Sequence, residues 1–320
     1  MAIRDQAIIH KTMSAIKGKD TGIEKALRKA LTEEGLRYRI YSNKVIGHPD
    51  ILFPKEKVVV FADSEFWHGY NFESAKANLK TNRDFWVNKI ERNIERDKEV
   101  NEALLSEGYK VLRYWGFEIN KELPRIVAEI KDVLKRRQEA LARKAGIPKK
   151  DRTTLGYIHF DDKVLLLYRN KKKNDPNLGK YVGIGGHFED GESPFACIKR
   201  EIKEETGLLV KKAIYKGKVY FLNDTCPSEV MYLFNVFDIE GDISSCDEGT
   251  LSLVSKDEVY NLPMWEGDRY FLPLMMDNKD GVFELTLIYH GDELIDKIGP
   301  FYKEKPKKKK RGKKHGRNHN

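Results

Sequence analysis

Cysteine is scarce in this chain of 320 residues. Cys197, Cys226 and Cys246 are the only three, an odd number without metal-ligand spacing, and residues 1–150 hold none. This excludes a disulfide framework and a thiolate metal site in the first half, so no zinc is expected there. A reducing cytoplasm is the expected location. Long apolar runs are also missing. None approaches the roughly 20 residues that a membrane span needs, and no basic–apolar–small leader opens the chain. No membrane partner is therefore expected.

An even spread of charge is missing as well. The net charge is +9, yet residues 1–150 carry 31 Lys+Arg against 22 Asp+Glu, residues 151–302 carry 18 against 27, and residues 303–320 carry 10 against 1. A basic first part suits a polyanion, and an acidic middle part suits a site that gathers metal ions. The tail has nothing to build a core from and is expected to be disordered. It reads equally as a loose nucleic-acid contact or as a solubilising terminus. A length of 320 residues with 40% apolar content suits two domains.

The most informative stretch is Gly186–Leu208. A glycine-rich loop, Gly183-Ile-Gly-Gly186, leads into a helix whose ends are written in the sequence. Ser193 can N-cap, Pro194 suits the first helical position and Gly207 is the stop. Glu201, Glu204 and Glu205 are spaced i, i+3, i+4, so their carboxylates share one face. Clustered Glu usually marks a solvated face. Here the glycine loop and the interrupting Arg200 favour oxygen ligands for a hard cation shared with phosphates. Cys197 within this helix reads as a small core residue.

These residues resemble the Nudix box, G-x5-E-x7-R-E-U-x-E-E-x-G-U with U apolar, without departure. The resemblance implies an α/β/α sandwich that cleaves a nucleoside diphosphate linkage. Mg²⁺, with Mn²⁺ as substitute, would be held by Glu201, Glu204, Glu205 and the Gly186 carbonyl. Glu248, from Asp247-Glu248-Gly249, is the expected further ligand or general base, and Glu192 with Arg200 the structural ion pair. Gly179–Gly186 and Met264-Trp265-(two residues)-Asp268-Arg-Tyr-Phe271 look like the MutT-like 8-oxo-dGTP diphosphatases. There, Trp265 would stack on the purine and Asp268 bond its edge, releasing a monophosphate and pyrophosphate. Gly267 stands where that subgroup has a first Asp. By residue type alone, Trp265 also reads as a core aromatic.

The first half reads as helix, three short strands, helix, strand and helix. The strands are expected at Leu36–Tyr41, Ile51–Phe53, Val58–Phe61 and Tyr109–Trp115, and the helices from Thr21, over about Arg83–Glu107 and over about Glu122–Ala145. That order suits a mixed sheet flanked by helices. Asp50 and Asp63 fall at the ends of neighbouring strands, where carboxylates are held rigidly enough for a hydrolytic metal.

Met13-Ser-Ala-Ile16, Asp20-Thr-Gly-Ile-Glu24, Pro49-Asp50, Phe66-Trp67-His68, Phe85-Trp86, Asn93, Glu95-Arg96-Asp97 and Val111-Leu-Arg-Tyr-Trp115 resemble the Vsr-type very-short-patch repair endonucleases, a branch of the PD-(D/E)xK fold. The resemblance implies Mg²⁺-dependent nicking of double-stranded DNA at T·G mismatches. Asp50 would hold the metal, Glu24 position water, and His68 act as general acid/base. Met13, Phe66 and Trp67 would be the apolar wedge, since unstacking costs least at a mismatch. Taken alone, Phe66-Trp67 reads as core packing and His68 as a structural histidine. Glu65 and Phe72 stand where the family has zinc cysteines. Asp63 replaces a second family histidine and becomes a candidate second metal carboxylate.

The expected organisation is a nuclease-like domain at 1–140, a linker at 141–151, a Nudix domain at 152–302 and a basic tail at 303–320. The leading expectation is a cytoplasmic bifunctional enzyme acting on DNA and on purine nucleoside triphosphates. The alternatives are a Nudix hydrolase of another diphosphate, such as ADP-ribose or a dinucleoside polyphosphate, and a front half that binds DNA without cutting it.

Overall fold

The structure, a computed structural model, describes residues 19–77, 82–244, 246–277 and 281–303. The chain divides after Gly146 into two compact units, with the short stretch Lys297–Gly299 grouped with the first.

In the first unit, α1 (Gly22–Glu33) starts where the sequence dictates. Thr21 accepts the Glu24 N–H, and the Glu24 carboxylate reaches back to the cap, so two orphan helix donors are satisfied. Leu27 and Leu31, four residues apart, are fully buried, each worth roughly 2 kcal/mol of apolar transfer. Three strands form a mixed sheet in the order β1 (Ile51–Phe53), β2 (Val58–Asp63), β3 (Lys110–Trp115), with β1–β2 antiparallel and β2–β3 parallel. The central strand reads Val-Val-Val-Phe because both its faces are covered. Val58 and Val60 pack with Leu27, Leu31 and the later helix residues Ile126 and Ile130. Val59 and Phe61 pack on the opposite face with Val100 and Leu104. The helices are α2 (Phe72–Lys76), α3 (Arg83–Ser106) and α4 (Gly116–Gly146).

Two expectations need correction here. Leu36–Tyr41 contributes a single bridge, Arg39 to Leu52, instead of a strand. The last helix begins six residues early and bends at Glu122, whose φ of −129° is non-helical, just before Pro124. That helix ends at Gly146, within the expected 141–151 linker.

The second unit carries an eight-stranded sheet among its described residues. Its strands are β4 (Arg152–Phe160), β5 (Lys163–Tyr168), β6 (Tyr181–Val182), β7 (Leu209–Asn223), β8 (Glu229–Glu240), β9 (Thr250–Ser255), β10 (Val282–His290) and β11 (Glu293–Lys303). The order is β11-β10-β7-β8-β4-β5-β6, with β9 beside β5. The β4–β5 hairpin turns at Asp161-Asp162, as its turn residues require. Alternation along the strands feeds two cores. Ile158, Leu165, Leu167 and Phe234 pack under Ile198 and Ile202 of α5 (Pro194–Thr206). Tyr157, Val164, Leu166 and Leu233 pack on the other face with Phe271, Leu272 and Met275, the last two in the short α6 (Leu272–Met276). β10 and β11 lie beyond the segments that sequence patterning resolved. No helix among the described residues is long and apolar enough to cross a membrane.

Candidate active sites

In the second unit, α5 carries the acidic face. Ser193 Oγ accepts the Ala196 N–H at 3.2 Å, Pro194 is the first helical residue, and Gly207 stops the helix at φ +78°. Buried Ile198 and Ile202 anchor the helix on the sheet, so Arg200, Glu201, Glu204 and Glu205 are presented beside the glycine loop.

Arg200 does more than the single ion pair expected of it. Nε and Nη2 meet Glu192 at 3.1 and 2.9 Å, in bidentate fashion. Nη1 donates to Glu201 at 2.7 Å and to Glu204 at 3.2 Å, and Nη2 also donates to the His187 carbonyl at 3.0 Å. One guanidinium thus ties the loop to the helix and spaces two carboxylates. Gly186 is required by close approach: a Cβ there would lie 2.5 Å from Glu201 Oε2. The Gly186 carbonyl accepts the Thr154 N–H at 2.8 Å and, weakly, the Cys197 thiol at 3.7 Å.

Glu205 is buried and its carboxylate accepts the Gly185 N–H at 3.2 Å. Burial first, then the charges of Glu248 and Glu201, push its carboxyl up to about 8. Glu248 behaves oppositely. Against the opposing effect of burial, its ion pairs with Lys172 and Arg169 hold it below the usual carboxylate range. Arg169 also pairs with Asp175. Among the described residues no group of three or more His, Cys, Asp or Glu converges in a preformed metal geometry. Glu201 and Glu204 are paired with Arg200, and Glu248 with Arg169 and Lys172.

Trp265 is half-buried. Its Nε1 donates to Asn177 Oδ1 at 2.8 Å, and the Lys180 ammonium sits 4.3 Å from a ring centroid. Asp268 keeps some exposure, yet burial pushes its carboxyl up to about 7. Gly267 is the departure from the purine-site pattern, and packing explains it. Its N–H donates to Tyr289 OH at 2.7 Å, and a Cβ would meet Leu287 at 2.5 Å and that hydroxyl at 2.6 Å. A first Asp has no room.

In the first unit, Asp50 precedes β1, and its Oδ2 accepts the Ala62 N–H of β2 at 2.8 Å. Burial, then the charges of Glu24 and Asp63, raise it to about 6, although the Ala62 hydrogen bond opposes this. Glu24 is 4% exposed. Its carboxylate is engaged by the Asp20 N–H (3.0 Å), the Thr21 hydroxyl (2.8 Å) and the Tyr41 hydroxyl, so the residue expected to position water is also its own helix cap. Asp63 meets Arg113 at 2.7 Å, and Glu65 accepts the Phe117 N–H at 2.6 Å near the start of α4. His68 Nδ1 lies 2.6 Å from Asp97. Burial opposes protonation there, but Asp97 and Asp63 raise the imidazole above its ordinary value.

Phe66, Trp67, Phe85 and Trp86 form an edge-to-face cluster with centroids 5.0–5.7 Å apart. The Lys89 ammonium lies 4.8 Å over Trp67. Phe66 and Phe85 are 42% and 59% exposed, an unusual display for large aromatics. Met13 lies outside the described residues, as does the tail from residue 304.

Two family models match the chain: DNA mismatch endonuclease Vsr over residues 1–74 and the NUDIX domain over residues 150–275. The type II nicking enzyme V.NmeDIP of Neisseria meningitidis serogroup C is 45% identical over 128 residues, which is 40% of this chain and 86% of that enzyme. The uncharacterized Nudix hydrolase YvcI of Bacillus subtilis is 34% identical over 143 residues, 43% of this chain and 86% of that protein. The chain is a Vsr endonuclease domain fused to a Nudix hydrolase domain. The Nudix domain is also similar to the oxidized purine nucleoside triphosphate hydrolase of Danio rerio, 31% identical over 110 residues, 34% of this chain and 70% of that enzyme.

Within these two domains, several residues escaped sequence reasoning. Arg169 gave no signal beyond being basic, and Arg113 and Lys180 stood inside matched stretches with no role attached. Glu229 was also missed. Its carboxyl is raised by burial, accepts the Thr153 hydroxyl at 3.2 Å, and stands at the bridge between Thr153 and His187. A signal existed for Asp97. Asn93, Asp97 and Asn101 recur every four residues, the period of one helix face.

Proposed function

We propose that the chain is a bifunctional enzyme of DNA integrity. Its Nudix domain hydrolyses purine nucleoside triphosphates, oxidised purines included, to the monophosphate and pyrophosphate. The observation that carries this reading is Glu205, a buried carboxyl pushed up to about 8 beside two further carboxylates. Such a cluster gains most from a bound cation, and its donors are all oxygen, which suits Mg²⁺ or Mn²⁺. Glu201, Glu204, Glu205 and the Gly186 carbonyl would hold the ion, which when bound neutralises triphosphate charge and acidifies water. Arg200 keeps Glu201 and Glu204 in place. Glu248, held ionised by Lys172 and Arg169, accepts the proton of the attacking water. Trp265 offers a ring to the purine, and Asp268, at about 7, offers its edge either a donor or an acceptor at neutral pH. The oxidised-purine activity named for the zebrafish relative supports this choice. A panel of 8-oxo-dGTP, dGTP, ATP and ADP-ribose with product analysis, run on wild type and on Glu204→Gln, tests it. Faster turnover of ADP-ribose than of 8-oxo-dGTP would overturn the substrate.

The Vsr domain, on the same reading, nicks double-stranded DNA at T·G mismatches. Asp50 would hold the divalent ion, with Glu24 beside it, and His68 exchanges a proton at the scissile phosphodiester. Phe66 and Trp67, with Met13, enter the base stack. The support is the exposed aromatic cluster next to His68, since stacked bases are the partner such a surface fits. Nicking of a T·G duplex is expected for wild type and not for Asp50→Ala; equal nicking by both would sink the assignment.

A further inference from the structure

The Vsr domain holds a closed ring of four ionisable side chains. His68 Nδ1 lies 2.6 Å from Asp97 Oδ2 and 3.7 Å from Asp63 Oδ1. The second oxygens of the same carboxylates meet Arg113. Nη1 donates to Asp63 Oδ2 at 2.7 Å, and Nη2 to Asp97 Oδ1 at 3.4 Å. Arg113 is itself held twice more: Nε donates to Asn101 Oδ1 at 3.0 Å, and the guanidinium lies 4.2 Å over the Phe61 ring. Three elements build the ring. β2 ends on Asp63, β3 carries Arg113, and α3 carries Asp97 and Asn101 one turn apart on one face. One turn earlier, Asn93 donates to the Trp67 carbonyl at 3.0 Å and fixes the peptide next to His68.

A guanidinium cannot give up its charge in a protein, so it is a permanent partner that places both carboxylates. With Nδ1 taken by Asp97, the other ring nitrogen is the one left for chemistry. His68, Asp97 and Arg113 line part of an open cleft of about 460 Å³, whose wall also carries His48, Arg96 and one further acid, Glu99. Cationic and imidazole groups around an open cleft suit a phosphodiester.

We propose that Arg113 is a positioning residue for His68. By pairing with Asp63 and Asp97 together it holds both carboxylates against Nδ1, and so leaves Nε2 to meet a phosphodiester in the cleft. Asp63 then belongs to this ring and not to the metal ligands. The proposal rests on the nicking reading of the same site.

The test uses the full chain, with a T·G duplex as substrate. Arg113→Gln is expected to lower kcat for nicking by about tenfold to a hundredfold, the usual cost of losing a supporting partner, with KM for the duplex unchanged. Arg113→Lys recovers part of the rate, since one ammonium meets one carboxylate well but not two. Asp63→Asn, a shape-preserving second variant, lowers kcat without loss of Mn²⁺ binding measured by calorimetry, whereas Asp50→Asn loses one ion. Wild-type nicking by Arg113→Gln, an effect on KM alone, or an ion lost in Asp63→Asn would overturn the proposal. The imidazole nitrogen signals of His68, identified against His68→Gln, decide the ring without any turnover. The hydrogen-bonded Nδ1 proton is expected in wild type and weakened in Arg113→Gln. An unchanged signal overturns the ring, while a wild type that shows the signal and does not nick sinks only the nuclease reading.

Discussion

The two domains place their carboxylates in opposite ways. In the Nudix domain, Glu201, Glu204 and Glu205 come from one helix, and one guanidinium, Arg200, spaces the first two. In the Vsr domain, Glu24, Asp50, Asp63 and Asp97 come from a helix start, a loop before a strand, a strand end and the middle of another helix. Carboxylates on one helix need only its 3.6-residue periodicity to share a face, so that part of the Nudix site is local, with Gly186 and Glu248 added from loops. A site gathered from four elements exists only when the whole sheet is folded. The first should tolerate damage elsewhere in its domain better than the second.

The sharpest way to break this comparison is to silence each site separately. Glu204 is exposed, so Glu204→Gln should fold normally while losing about 4 kcal/mol of transition-state stabilisation, roughly a thousandfold in nucleotide hydrolysis. Its nicking of T·G duplexes should be unchanged. Asp50→Ala should give the reverse pattern, with nicking lost and hydrolysis retained. Either variant losing both activities would mean that the two sites are not independent.

The same contrast governs what was legible in the sequence. The box helix was readable to the residue because Ser193, Pro194 and Gly207 mark its ends and the Glu spacing marks its face. The sheet of the Vsr domain was readable as apolar runs, since Val58–Phe61 is buried on both sides. The strand expected at Leu36–Tyr41 was not formed, because only Arg39 finds a partner across from Leu52. The ring around His68 was illegible in principle. Arg113 pairs with Asp63 fifty residues away, and no local pattern encodes that contact. Lys180 over Trp265 and the packing of Gly267 on Tyr289 are of the same kind: long-range contacts that follow from the fold.

Acid–base behaviour sharpens the comparison next. Glu205 has its folded-state value raised from the usual carboxylate range to about 8. A raised acid binds its proton more tightly when folded, so stability is fully present below the unfolded value and declines as pH climbs toward 8. In the absence of divalent ions the Nudix transition should lose up to a few kcal/mol between about pH 4.5 and 8. Glu205→Gln should flatten that decline, and added Mg²⁺ should reverse it in wild type. Urea titrations at several pH values measure this; identical slopes for wild type and variant would remove Glu205 from the account. Asp50, raised only to about 6, should show the same sign over a narrower window in the Vsr domain.

Arg200→Met comes third. It leaves Glu192, Glu201 and Glu204 without their shared cation and frees the His187 carbonyl. Part of the group is solvent-exposed, so the loss is discounted to about 2 kcal/mol of Nudix stability. The Vsr transition should not move. A loss confined to hydrolysis, with no change in the urea midpoint, would make Arg200 a site residue and not a brace.

The smallest expected effect compares two helix stops. Gly35 follows α1 at φ +73° and Gly207 follows α5 at φ +78°. Both sit in the left-handed region, where a Cβ costs about 1 kcal/mol. Their surroundings differ. A Cβ at Gly35 meets nothing within 4 Å, whereas at Gly207 it meets Ser244 Oγ at 2.8 Å and the Asp242 carbonyl at 3.1 Å. Gly35→Ala should therefore cost about 1 kcal/mol in the Vsr transition, and Gly207→Ala about twice that in the Nudix transition, because Ser244 must also move. Trimming the neighbour separates the two contributions. In a Ser244→Ala background the cost of Gly207→Ala should fall toward that of Gly35→Ala, leaving the backbone conformation as the shared remainder. An undiminished cost would assign the excess over Gly35→Ala to the Asp242 carbonyl, which trimming a side chain cannot relieve.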